Sequence, residues 1–402
     1  MADFQAMHVI EALRSGVPSR TVGAYFSEAR PGMLNRIRSR MDAVAASGKS
    51  DGMIFRGSYG EGKTHMLNTI LSMASEKNMV VSCVSLGKET PMHLPHLLYG
   101  KLIANTYLPG TEQPGFRQKL EEIAPGSGVA GELQAYTATG LETNKIYFVL
   151  KDMWETQDDD EREQFLADLE GDFVSSALVK RVFRRVTGKP AQFNQNFTKT
   201  KHYGDYFAFM SALFRRLGYA GWVILFDEAE LIGRLGKKAR AKSYGTMQSF
   251  LRPSAMLEAV FSVFAFSSSF TEEVIDKKHE FENAETIFAD DAAALKAAKA
   301  TLNAIIDAPE LASLSKAEIL RVLESIQEFH GMAYDWEPQI DPETIYNETE
   351  GAGYLLRTRI RAAIELLDQL YQYGKAGKIS ITELGKEQFE EDDTPPLPEG
   401  DW

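Results

Sequence analysis

Two short segments carry residue types that can act on phosphate. The first is Gly57-Ser58-Tyr59-Gly60-Glu61-Gly62-Lys63-Thr64 and the second is Ile224-Leu225-Phe226-Asp227-Glu228. The glycine segment fits the P-loop pattern, in which small residues let a loop wrap phosphate groups while successive backbone N–H groups point inward. Gly57, Gly60 and Gly62 permit that backbone path. Lys63 reaches the β- and γ-phosphates as a point charge, and the Thr64 hydroxyl ligates Mg²⁺. A plain glycine turn before a helix is the simpler alternative, and the flanking strand and helix argue against it.

In the second segment an apolar strand delivers two adjacent carboxylates to its C-terminal end, where open α/β sheets bind ligands. Asp227 suits the Mg²⁺ shell, since that ion prefers hard oxygen donors and keeps several waters. Glu228 then orients and deprotonates the attacking water. Taken alone, an Asp-Glu pair also reads as a helix N-cap, and it is the company of the glycine loop that turns it into half of a Mg·ATP site. Glu230 adds a second acid, read as a surface or helix-opening residue because negative charge favours a helix N-terminus. Ser267 or Ser268 ends the next apolar run. Either holds the γ-phosphate or the lytic water, or simply caps the helix expected over residues 270–278.

These residues need a scaffold, and the periodicity supplies one. Residues 52–56 form a short strand candidate, residues 65–77 a helix with Met66, Leu67, Ile70, Leu71 and Ala74 inward, and residues 79–86 a buried strand. That is a βαβ unit, so a parallel sheet with helices on its faces is expected. The runs 221–226 and 260–266 supply further strands. Ahead of the core, helical spacing appears over residues 3–15 and at Leu34, Ile37, Met41 and Val44. Residues 91–204 are mostly helical in pattern and read as an insertion. After residue 271 the pattern is helical again, including 316–330 and 355–373. The expected organisation is an N-terminal helical segment 1–50, an ATPase core 51–270 holding the insertion, a helical lid 271–385, and an acidic tail 386–402 expected to be disordered.

Composition excludes some classes. No stretch of eighteen apolar residues occurs, and the N-terminus lacks a basic region followed by an apolar one, so a cytoplasmic protein without membrane contact is expected. The one cysteine, Cys83, lies in an apolar run and reads as a buried strand residue rather than a disulfide or metal ligand. A net charge of −13 repels nucleic acid on average. Two runs depart from it: residues 231–257 hold six basic side chains (Arg234, Lys237, Lys238, Arg240, Lys242, Arg252) and residues 173–202 hold seven, neither with an acid. Each reads as a solvated face or as a surface for DNA or a partner protein.

Three blocks together resemble a known family. They are Glu11-Ala12-Leu13-Arg14-Ser15-Gly16-Val17-Pro18, the glycine segment extended from Phe55 to His65, and Gly218 through Glu230 with its Phe226-Asp227-Glu228-Ala229-Glu230 ending. The chain is similar to the BREX-type ATP-binding proteins of bacterial phage defence, which look like AAA+ ATPases related to origin-recognition loaders. The resemblance implies nucleotide contacts along the whole segment Gly57, Ser58, Tyr59, Gly60, Glu61, Gly62, Lys63, Thr64 and His65. It implies a sheet with the glycine-loop strand beside those ending at Asp227 and Ser267, a lid carrying a sensor arginine, and other defence proteins as partners. The sensor is expected at Arg357, although Arg359 and Arg361 stand at alternate positions and Leu356 replaces an expected proline. Use of ATP to switch assembly or to remodel DNA or a partner is the expected activity. The alternatives are a nucleotide-gated signalling scaffold with little turnover and a replication or transposition loader. Homo-oligomerisation, with an arginine finger from Arg234, Arg240 or Arg252, stays open.

Overall fold

The computed structural model describes residues 3–15, 30–111, 113–350, 356–377 and 379; the acidic tail and the Gly351-to-Leu355 approach to Arg357 lie outside them. Five strands form one sheet: β1 (Asp51–Gly57), β2 (Met79–Ser85), β3 (Thr106–Tyr107), β4 (Gly221–Asp227) and β5 (Val260–Ser267), in the order β1-β5-β4-β2-β3. All pairings are parallel except that of β3, a two-residue antiparallel edge within the insertion. The chain is therefore a mixed α/β protein with a mostly parallel sheet. One expectation is corrected. The glycine-loop strand β1 pairs with β5 and its Ser267, whereas β4 with Asp227 lies one strand further in.

Strict alternation explains why the strands read as continuous apolar runs. On β4, Trp222, Ile224 and Phe226 pack on one face while Val223 and Leu225 pack on the other. Phe226 stacks on Phe264 of β5 with ring centroids 4.3 Å apart. The second face is covered by the helices Pro31–Ser47 and Lys63–Glu76. The former starts at a proline, buries Leu34, Ile37, Met41 and Val44, and stops at Gly48, whose left-handed backbone (φ 70°) returns its N–H to the Val44 carbonyl. The first face is covered by the insertion helices and by Glu280–Ile287 and Ala292–Ile306. Apolar packing thus runs on without a break past residue 271.

A third cluster is built from the two ends of the chain. Ala6, Val9 and Ile10 of the helix Phe4–Ser15 pack with Val322, Leu323 and Ile326 of Lys316–Tyr334 and with Ala363, Ile364 and Leu367 of Leu356–Tyr373. The C-terminal helices are joined to the sheet by a strap at residues 309–311. The Arg56 N–H donates to the Pro309 carbonyl at 2.9 Å and the Leu311 N–H to the Arg56 carbonyl at 2.7 Å, covering the outer edge of β1.

Candidate functional site

The carboxyl ends of β1, β5 and β4 lie along one edge of the sheet, and the chemistry-bearing residues gather there. Gly57 ends β1 opposite Ser267 in register, and the Ser268 N–H donates to the Gly57 carbonyl at 3.2 Å. The loop then turns at Gly60 (φ 77°) and Gly62 (φ 88°), both left-handed and so suited to glycine. Gly57 sits in a tight space instead: an added Cβ would lie 3.1 Å from the Leu311 side chain. The helix Lys63–Glu76 opens directly after Gly62, which turns its unpaired amides toward the loop. Thr64 and His65 are half-buried in its first turn, Tyr59 and Glu61 half-buried in the loop, and Ser58 is exposed.

Lys63 ties this loop to the acidic strand end. Its Nζ donates to the Gly57 carbonyl at 3.2 Å and pairs with Glu230 Oε1 at 3.5 Å. Glu230 is buried in the 3₁₀ turn Ala229–Arg234, which corrects the surface reading of this acid; its helix-opening position stands. Asp227 is also buried, and its Oδ1 accepts the Glu228 N–H at 2.8 Å. Glu228 itself is exposed and holds a left-handed backbone (φ 51°), an uncommon conformation for a residue with a side chain. The Ser267 and Ser269 hydroxyls bond each other at 2.9 Å. The helical turn Thr271–Asp276 has no side-chain cap, so a capping role for Ser267 and Ser268 is not realised.

Arg357 is brought to the loop by its backbone. Its N–H donates to the Gly60 carbonyl at 3.3 Å, and its side chain is exposed. The competing arginines face elsewhere. Arg359 is buried with its guanidinium 4.3 Å above the Tyr346 ring, and Arg361 Nε donates to the Arg14 carbonyl at 3.2 Å. Of the finger candidates, Arg240 is buried against Glu280 with Nη2 2.9 Å from Oε1, while Arg234 and Arg252 are exposed.

One functional candidate escaped the sequence. Arg30 is buried beside the loop, its Nη2 donating to the Glu61 carbonyl at 2.7 Å and pairing with Glu61 Oε2 at 3.2 Å. Its Nε donates to the Ala312 carbonyl at 2.9 Å. Burial lowers its pKa from the usual arginine value, against the pull of Glu61 and Glu318. Its only sequence signal is its place before the helix-starting Pro31, which says nothing of where the guanidinium goes.

Among the described residues no cluster of three or more His, Cys, Asp or Glu could hold a metal ion, and no helix is long and apolar enough to cross a membrane. Cys83 lies half-buried on β2.

Fold and site together define an α/β protein with a glycine loop and a helix N-terminus at the carboxyl edge of a mostly parallel sheet, a place suited to an anionic ligand. The family model described as BREX system ATP-binding protein BrxC/D matches residues 3–123 and 139–383, and the chain belongs to that family. It is accordingly an ATP-binding protein of a BREX system, with a role in phage defence. No curated protein matches the chain.

Proposed function

We propose that the chain is a Mg²⁺-dependent, AAA+-like P-loop ATPase that uses ATP to switch assembly or to remodel DNA or a partner protein of its BREX system in the cytoplasm. The observation that carries this reading is the ion pair that ties the glycine loop to the turn after the acidic strand end: Lys63 reaches Glu230, three residues beyond Asp227, at 3.5 Å. A phosphate chain seated on the loop amides would then lie between the lysine and the acids. The donors fit Mg²⁺, because that ion is held by one or two protein oxygens together with phosphates and waters rather than by an acidic cage. Thr64 and Asp227 would supply those oxygens. When bound, the ion neutralises charge on the β- and γ-phosphates. Glu228, exposed at the mouth of the site, would orient and deprotonate the attacking water, and Ser267 would bond the γ-phosphate or that water.

The lid, expected over residues 271–385, is in this reading limited to the helices of residues 316–373 with the helix Phe4–Ser15, which share an apolar cluster separate from the sheet, because residues 274–305 pack with the sheet instead. Arg357, already hydrogen-bonded to the loop through its amide, would swing its guanidinium onto the γ-phosphate. Lys63→Ala tests the whole assignment by calorimetry with Mg·ATP. The variant should lose tight ATP binding, and binding as tight as the parent's would withdraw the P-loop reading.

A second, loader-like reading has one observation behind it. The helix Ser176–Thr187 presents Lys180, Arg181 and Arg184 to solvent on an otherwise acidic protein. Nucleotide-dependent DNA binding that weakens steeply with salt would support it.

A further inference from the structure

The ammonium that should grip the nucleotide is already gripped. Lys63 Nζ pairs with Glu230 Oε1 at 3.5 Å, and the two side chains are only 9% and 2% exposed, so solvent screens the pair weakly. The chain path enforces the pairing. β4 ends at Asp227, Glu228 turns in a left-handed conformation, and the 3₁₀ turn beginning at Ala229 buries Glu230 against the loop lysine while Glu228 stays exposed. Of the acids beyond Asp227, it is therefore the third residue along, and not the adjacent one, that meets Lys63.

A phosphate bound at Lys63 brings negative charge within a few ångströms of the Glu230 carboxylate. Like charges at that distance repel several-fold more strongly in a poorly solvated site than in water. Lys63 has a further constraint, since one of its donors is already committed to the Gly57 carbonyl. We infer that Glu230 is a built-in competitor of the nucleotide for Lys63, and that its displacement distinguishes ATP from ADP. This rests on the P-loop reading above. A diphosphate leaves the γ-position empty and lets Glu230 stay near the lysine. A triphosphate fills that position and forces the carboxylate away, so the cost of displacing Glu230 falls more heavily on ATP. The chain consequently binds ATP less tightly than its loop alone would allow, and the release of Glu230 moves the 3₁₀ turn that follows the acidic strand end.

The test is calorimetry of Mg·ATP and Mg·ADP on the full chain, the Glu230→Gln variant and the Glu230→Asp variant, with thermal unfolding to show that each is folded. Gln keeps the shape and removes the charge, so the dissociation constant for ATP should fall at least about tenfold and that for ADP by less. Asp keeps the charge but withdraws it by one methylene, and should give a smaller gain in the same order. If the parent binds no ATP, the P-loop reading fails and the inference falls with it. If the parent binds ATP while Glu230→Gln binds it no more tightly, or gains equally for ADP, the inference alone is overturned. Should Glu230→Gln not fold, ATP binding by Glu230→Asp that is no tighter than the parent's overturns it equally.

Discussion

Replacing Arg30 by methionine keeps an unbranched apolar stem and deletes every side-chain donor. Three contacts go: the Glu61 carbonyl at 2.7 Å, the Glu61 carboxylate at 3.2 Å and the Ala312 carbonyl at 2.9 Å. Hydrogen bonds to charged groups contribute roughly 1.5–3 kcal/mol each net of solvation, but the guanidinium is buried and its desolvation offsets part of that sum. Breaking a buried charge pair typically costs about 3–5 kcal/mol, and we take about 3 kcal/mol because the Glu61 side chain, 13% exposed, can be rehydrated. Some of this appears as lost stability. The rest appears at the site, because Glu61 lies inside the glycine loop and ATP must then order a loop that Arg30 no longer holds. At 1.4 kcal/mol per decade the ATP dissociation constant should rise by roughly 10- to 100-fold. Arg30→Lys, with charge but no fork, should fall between the two. Calorimetry beside thermal unfolding separates the parts. A folded Arg30→Met that binds ATP within about twofold of the parent would refute the reasoning and leave Arg30 as a clamp between chain segments only.

Glu228→Gln should leave ATP bound and slow phosphate release by roughly 10²- to 10⁴-fold, the range for loss of a general base; unchanged turnover moves the base elsewhere, with Glu230 next to test. Arg357→Ala should lose ATP-dependent protection from protease in the helices of residues 316–373, while Arg359→Ala and Arg361→Ala keep it, and the reverse pattern reassigns the sensor. In the insertion, Asp152 is buried and its carboxyl is pushed up to about 8, by burial first and then by Glu155 and Glu161. Its folded pKa lies above the unfolded value of about 3.9, so its contribution to stability is intact below pH ~4 and is lost as pH rises through about 8, at up to ~1.4 kcal/mol per pH unit. Asp152→Asn should therefore be more stable than the parent at pH 9, with the gap closing toward pH 4 in thermal unfolding; identical pH profiles would refute this.

The elements that were legible are those whose burial is written along the chain. β1, β2, β4 and β5 are buried on both faces and so appear as apolar runs, and the helix Pro31–Ser47 shows its inward face at the spacing of Leu34, Ile37, Met41 and Val44. The edge strand Thr106–Tyr107 is too short to leave a periodicity. Strand order is another matter, because no local pattern says that β5 rather than β4 lies beside β1. The same limit hid Arg30 and the burial of Glu230. Each acts across a large separation in sequence, Arg30 on Ala312 and Glu230 on Lys63, and a charged residue's pairing at such range is invisible to spacing. The glycine loop and the Asp-Glu pair were legible as places, each a run of adjacent residues at the end of a strand.

Among the described residues, the site meets the C-terminal helices chiefly at one strap. Residues 309–311 line the β1 edge through Arg56, Leu311 packs where a Gly57 side chain would stand, and the Ala312 carbonyl takes Arg30 Nε. Immediately beyond it, Glu318 at the start of Lys316–Tyr334 accepts the Arg30 N–H at 3.3 Å and completes the capping box with Ser315. The route from loop to C-terminal helices therefore passes through Arg30 and one helix start, with Ser313 Oγ on Glu61 Oε1 at 3.3 Å and the Arg357 amide on the Gly60 carbonyl as further ties. A joint of so few polar contacts is worth a few kcal/mol, which is the scale of differential binding that a nucleotide can supply. A large apolar interface here would have fixed the helices whatever the loop held. The apolar area lies instead within the C-terminal cluster and within the two layers around the sheet, and in the proposed reading each body stays intact while ATP sets the connection between them.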